Sequence, residues 1–140
     1  MIGIDTNVLV RYVVRDDEDQ FERAAAVLAD LAPARPGFIT QVTLVEFYWV
    51  LTRSYGYSRD TVLTVISQLV SSTSLEFDDA EGVVRALTLA QEGADFADAL
   101  IAGAMEPFGI TDIVTFDRRA AGSLGWHLLT DEATHGICPG

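Results

Sequence analysis

Short apolar runs alternate with longer segments of helical character along the chain. Ile2 to Ile4 reads as a first strand, and Thr6 to Val14 as a helix that begins just after Asp5. Beyond the acidic turn Asp16 to Asp19, the alanines and leucines of Phe21 to Leu31 favour a second helix, which Pro33 and Pro36 end. Phe38 and Ile39 form a second strand, and Gln41 to Tyr55 is a strongly apolar helix closed by Gly56. Ser58 is suited to cap a helix over Thr61 to Val70. Leu75 to Phe77 is strand-like, and Asp78 or Asp79 can cap Ala80 to Gln91. Gly93 ends that helix, Asp95 to Glu106 forms the next, and Pro107 and Gly109 stop it. Asp112 to Phe116 and Trp126 to Leu129 are the last two strands. Strands alternating with helices predict an α/β fold with a parallel sheet covered on both faces. Such sheets collect ligands at the carboxyl ends of their strands, where loops run into helix N-termini.

The 140 residues, 49% hydrophobic and 21% charged, suit a single globular domain over 1–140 without repeats, linkers or low-complexity tracts. The acidic start has no basic leader region, and no apolar run is long enough to span a bilayer. A soluble, cytoplasmic setting without membrane contact is therefore expected. The one cysteine, Cys138, is expected to be a free thiol in a mobile C-terminal tail. His127 reads as a strand residue and His135 as part of the tail, so neither suggests a triad.

Charge narrows the chemistry. With 9 basic and 21 acidic residues the net charge is −12, which argues against nonspecific adhesion to polyanions and suits cations or a basic protein. All the basic residues are arginine. Without lysine, P-loop phosphate binding, Schiff-base cofactors and Ser-x-x-Lys hydrolysis are excluded. Receiver domains and haloacid-dehalogenase-like phosphatases also need a lysine, and Asp5-Thr6-Asn7 lacks the second aspartate of the latter.

Four acids stand out because their sequence neighbours are apolar. Asp5 follows Ile2-Gly3-Ile4, and Asp117 follows Ile113-Val114-Thr115-Phe116, both at strand exits. Glu46 lies within Val42 to Leu51, flanked by bulky apolar groups whichever way the helix turns. Buried there, it would have to be paired with an arginine, protonated or bound to a cation. Asp98 shares a helix face with Asp95 at i, i+3 spacing, near the positive end of the helix. Asp5 and Asp95 can also serve simply as helix caps. Converging on one crevice, two carboxylates ~4 Å apart would repel by about 4 kcal/mol at an effective dielectric near 20. A divalent cation removes that penalty, and an all-oxygen donor set suits Mg2+ or Mn2+ rather than Zn2+. The chemistry implied is attack of water on a phosphodiester. Thr6, Asn7 and Thr115 could orient a carboxylate or hold a water. Arg118 and Arg119 are the candidate phosphate contacts, with Arg11 and Arg15 four residues apart on another helix face.

These residues fall in four motifs: Ile4-Asp5-Thr6-Asn7-Val8-Leu9, Thr43-Leu44-Val45-Glu46, Asp95-Phe96-Ala97-Asp98-Ala99-Leu100-Ile101-Ala102 and Val114-Thr115-Phe116-Asp117-Arg118-Arg119. In that order, in a chain of this size, the set resembles the PIN domain, and within it the VapC toxins of toxin–antitoxin pairs. The resemblance implies a three-layer α/β/α sandwich around a central, mostly parallel sheet. It implies a Mg2+-dependent endoribonuclease that cuts structured RNA such as tRNA or rRNA. Carried over by position, Asp5, Glu46, Asp98 and Asp117 are the acidic quartet, with Asp5 and Asp98 as metal ligands. Asp95 resembles an additional acid and Thr115 the hydroxyl residue near the last acid. A homodimer silenced by a small antitoxin is implied too. With net charge −12, a grip on RNA is expected to need Mg2+ and arginines from two subunits lining a shared groove. The alternatives are a housekeeping RNA-processing nuclease of the same chemistry and a catalytically silent PIN-like binding module.

Overall fold

A computed structural model describes residues 1–130; Cys138 and His135, assigned above to the tail, lie outside the described residues. Five strands alternate with seven α-helices: β1 Ile2–Gly3, α1 Thr6–Val14, α2 Glu18–Ala29, β2 Gly37–Ile39, α3 Gln41–Trp49, α4 Arg59–Ser71, β3 Leu75–Phe77, α5 Ala80–Gln91, α6 Phe96–Met105, β4 Val114–Thr115, α7 Arg118–Leu124 and β5 His127–Leu128. The class is α/β and every strand pairing is parallel, as the alternating pattern predicts. The strands pair in two pieces, β1-β2-β3 and β4-β5. Beyond β1, the amide of Ile4 still donates to the carbonyl of Phe38, which carries the ladder up to the residue before Asp5.

Each helix starts on a side-chain cap. Thr40 and Ser58 cap α3 and α4, and Asp5, Asp17, Asp79, Asp95 and Asp117 cap the other five. These side-chain oxygens satisfy backbone amides that the first turn leaves unpaired. Between the two caps considered for α5, Asp79 takes the role, while Asp78 accepts from the amide of Gln41 and ties β3's exit to α3. The seventh helix is absent from the sequence reading. Its marks were Asp117 before Arg118-Arg119-Ala120-Ala121 and Gly125 behind it, at φ +73°.

The core joins α3, α4, α5 and α6 through Leu44, Phe47, Leu51, Val62, Ile66, Val83, Phe96 and Leu100, with Leu9 and Ile39 from the α1 and β2 side. Gly37 is required where β2 is most tightly enclosed. A Cβ there would come 2.9 to 3.0 Å from the side chains of Leu31, Ile4 and Leu75. The predicted helix over Gln41 to Tyr55 is α-helical only to Trp49, and Val50–Ser54 continues it as a π-helical turn. That turn re-aims the residues after Trp49 and borders both cavities described next.

Candidate active site

Two cavities open where strands run into helices, and α3 with its π-helical turn walls both. The first, about 490 Å³, is lined by Asp5, Thr6, Asn7, Val10 and Arg11 from β1's exit and α1, and by Glu46, Val50 and Tyr55. The second, about 250 Å³, is lined by Asp95 and Asp98, by Asp117, Arg119, Ala120 and Ser123 around α7, and by Gly93, Trp49 and Arg53. The predicted acids therefore divide into Asp5 with Glu46 and Asp98 with Asp117, the second pair joined by Asp95. Neither cavity is lined by all of them. Among the described residues, no three Asp, Glu, His or Cys side chains converge closely enough to enclose a metal ion.

Local hydrogen bonding accounts for much of that division. Asp5 turns an oxygen to the amide of Thr6 at 2.8 Å, and Asp95 accepts from the amide of Asp98 at 3.0 Å. Asp117 accepts from the amides of Arg119 and Ala120 at 2.8 and 3.2 Å. Three of the five acids thus hold the first turns of their own helices. Asp98 has no such duty. It is half-buried, and its carboxyl is pushed above the usual range by burial first, then by the charges of Asp95 and Asp117, against the opposing pull of Arg53.

Glu46 differs from its sequence expectation. It is exposed, because α3 turns Leu44, Phe47 and Tyr48 into the core and Glu46 away from it. Its apolar neighbours share the outer face: Val42 is 79% exposed, and Val45 and Trp49 line a further, apolar cavity with Leu100, Ile101 and Ala104. A helix apolar on both faces gives no sequence signal of which face is inside. The burial penalty argued for Glu46 does not apply.

The supporting residues scatter. Thr6 is buried and its hydroxyl oxygen has no hydrogen-bond partner among the described residues, which leaves a buried oxygen unsatisfied beside Asp5. Asn7 lines the same cavity as an exposed residue. Thr115 accepts from the amide of Asp117 at 3.0 Å and so shapes the turn that presents this acid. Arg11 reaches the first cavity but is ion-paired to Asp16 at 2.8 Å. Arg15 lines neither cavity: it pairs with Glu18 at 2.7 Å and lies 4.0 Å over the Phe21 ring. Arg119 lines the second cavity, whereas Arg118 is exposed outside it.

Arg53 and Trp49 escaped the sequence reading, and the Arg53 guanidinium lies 5.0 Å from the Trp49 ring centroid. The signal was present. Glu46, Trp49 and Arg53 stand at i, i+3 and i+7, the spacing of one helix face.

The donor chemistry fits a hard dication. Carboxylates are the charged groups in both cavities that can ligate one, the unsatisfied Thr6 oxygen adds a neutral donor, and Asp98 sits among like charges that a cation would relieve. A closed cage is not required, because Mg2+ is commonly held through one or two carboxylates and completes its shell with water and substrate phosphate.

A family profile described as "PIN domain" matches residues 2–122. Comparison with curated protein sequences gives no match.

Proposed function

The chain belongs to the PIN-domain family, whose members are generally metal-dependent nucleases, and from that premise we propose a Mg2+-dependent endoribonuclease. The observation that carries the reading is the second cavity, where Asp95, Asp98 and Asp117 share one small space with Arg53 and Arg119. Acids able to hold a cation stand there beside guanidinium groups able to hold phosphate oxygens.

In this reading Asp98 and Asp5 hold the cation, Mg2+ or alternatively Mn2+, and Glu46 and Asp117 complete the acidic quartet. Such a cation polarises a phosphodiester and lowers the pKa of water at the site. The chain's own residues do the rest. Asp95 fixes the first turn of α6 and with it Asp98. Thr115 and the α7 cap fix Asp117. Arg53 and Arg119 orient the RNA backbone across the cavity, a task for which Arg11, tied to Asp16, and Arg15, tied to Glu18, are less free.

The biological role inferred is that of a toxin acting on tRNA or rRNA in the cytoplasm as a homodimer, silenced by a small antitoxin. Its support is the four-motif pattern, the chain's size and an acidity that suits a basic inhibitor side chain. Division of the acids between two cavities favours a second reading, a catalytically silent PIN-like binding module. One experiment separates them: sequencing RNA ends after induced expression, beside cleavage by the purified protein with Mg2+ or with EDTA. The nuclease reading expects discrete new ends that vanish with EDTA and with Asp98→Ala. Ends that persist in both controls, or no ends at all, would overturn it.

A further inference from the structure

A cation stands at the back of this site without an acid to pair with. Arg59, the first residue of α4, is half-buried, and it has no salt bridge among the described residues. Its Nη2 donates to the carbonyl of Ala94 at 2.5 Å and its Nε to the hydroxyl of Tyr48 at 3.1 Å. Ala94 and Tyr48 are both buried. Ala94 immediately precedes Asp95, and Tyr48 lies two residues after Glu46 on α3. The Tyr48 hydroxyl also lies near the charge of Asp95. Burial first, then the nearby Asp95 charge, holds this phenol above its ordinary value, while Arg59 pulls the other way.

The turn between α5 and α6 needs such a tie. Gly93 sits at φ +111°, and the other hydrogen bonds of Gly93, Ala94 and Asp95 run to Leu89, Ala90, Asp98 and Ala99, within α5 and α6 themselves. Among the described residues, Arg59 of α4 reaches this turn by a hydrogen bond and holds the Tyr48 hydroxyl of α3 with its other nitrogen. A planar guanidinium can serve two acceptors in fixed directions, which an ammonium cannot reproduce.

We propose that Arg59 is a positioning residue that bolts Tyr48 of α3 to the turn before α6, and so sets Asp95 and Asp98 against the helix that carries Glu46. The proposal rests on reading these acids as the nuclease site. It acts through placement, since Arg59 lines neither acidic cavity.

The test uses the whole chain with Arg59→Ala, Arg59→Lys, Tyr48→Phe and the Arg59→Ala/Tyr48→Phe pair. Cleavage kinetics in Mg2+, Mn2+ titration by calorimetry and thermal melting are measured on each. Arg59→Ala is expected to melt cooperatively and to lose about 10–100-fold in kcat, the scale of a misplaced reacting group, with KM nearly unchanged. Its Mn2+ affinity should fall by roughly tenfold, as when an outer support of a metal ligand is removed. Millimolar methylguanidinium should restore part of the kcat of Arg59→Ala and leave the wild type unaffected. Arg59→Lys should stay impaired, Tyr48→Phe should lose less, and the pair no more than Arg59→Ala alone. Wild-type kcat and Mn2+ affinity in Arg59→Ala, or a loss that follows only the unfolded fraction without rescue, overturns the proposal. Should Arg59→Ala not fold, Tyr48→Phe decides: unchanged kcat and Mn2+ affinity would equally overturn it. A wild type that cuts no RNA removes the nuclease reading instead, and the Mn2+ titrations still judge Arg59.

Discussion

The two acidic cavities share a wall and differ in how their charges are disposed. Around Asp5 and Glu46 the acids are exposed, and the adjacent cation, Arg11, is held by Asp16, which Tyr55 also contacts at 3.3 Å. Around Asp98 the acids are crowded, Asp98 itself is partly desolvated, and Arg53 and Arg119 have no ion-pair partner among the described residues. In the first cavity solvent screens the charges of Asp5 and Glu46. The second carries a local conflict among like charges that an added cation would resolve, with guanidinium groups left over for an anion. Unresolved charge of this kind is where a fold holds chemistry in reserve.

The comparison breaks most sharply on charge removal. Asp98→Asn should cut cleavage by about 10²–10³-fold, the scale of losing one electrostatic stabiliser in an active site. Asp5→Asn should do the same if one cation draws on both cavities; cleavage retained in Asp5→Asn alone would confine the chemistry to the second. The asparagine variants matter for Asp5. Because its carboxylate caps α1, Asp5→Ala would also cost about 1 kcal/mol of helix stability. Alanine at Asp98 should leave the fold intact, since that side chain accepts no backbone amide among the hydrogen bonds of the described residues.

Arginine substitutions sharpen it at the next scale. Arg53→Ala and Arg119→Ala should each weaken RNA binding by about tenfold and lower the salt slope by roughly one unit, as for a lost phosphate contact. Arg11→Ala and Arg15→Ala, already ion-paired, should change both by less than half as much. Filter binding across a salt series with catalytically inactive Asp98→Asn protein measures all four. Equal effects at Arg11 and Arg53 would erase the difference between the cavities. One step smaller, Asp95→Ala should lower stability by about 1 kcal/mol through loss of the α6 cap, read in a urea titration.

How far the sequence foretold this molecule depends on whether the signal was local. Caps, breakers and periodicity are local, and they place α1 over Thr6–Val14 and β3 over Leu75–Phe77 as read. The acids were legible as anomalies among apolar neighbours, and all five line the two cavities, four of them at strand exits or helix starts. What failed was nonlocal. Whether Glu46 faces core or solvent depends on which side of α3 meets α6 and α1, and α3 is apolar on both. How the acids distribute between the two cavities depends on the packing of elements far apart in the chain. Arg53 was passed over because nothing in its immediate neighbours, Thr52 and Ser54, marks it.

The smallest effect is the most specific to the crowded cavity. Because the folded state raises the carboxyl of Asp98, the fold holds that proton more tightly than the unfolded chain does. The penalty therefore sets in as pH rises from the unfolded value through the folded one. Asp98→Asn removes it. In EDTA, where no bound cation intervenes, the variant should be more stable than wild type at pH 7 by roughly 0.2–0.5 kcal/mol, the worth of a solvent-screened like-charge pair. The gain should vanish in acid, once the wild-type carboxyl is protonated. Asp16 and Glu18, held low by Arg11 and Arg15, lend stability that is lost in the opposite direction, as pH falls. They are common to both proteins and cancel in the difference. A variant that melts with wild type at every pH would mean that Asp98 is not crowded in solution, and the contrast between the two cavities would lose its electrostatic basis.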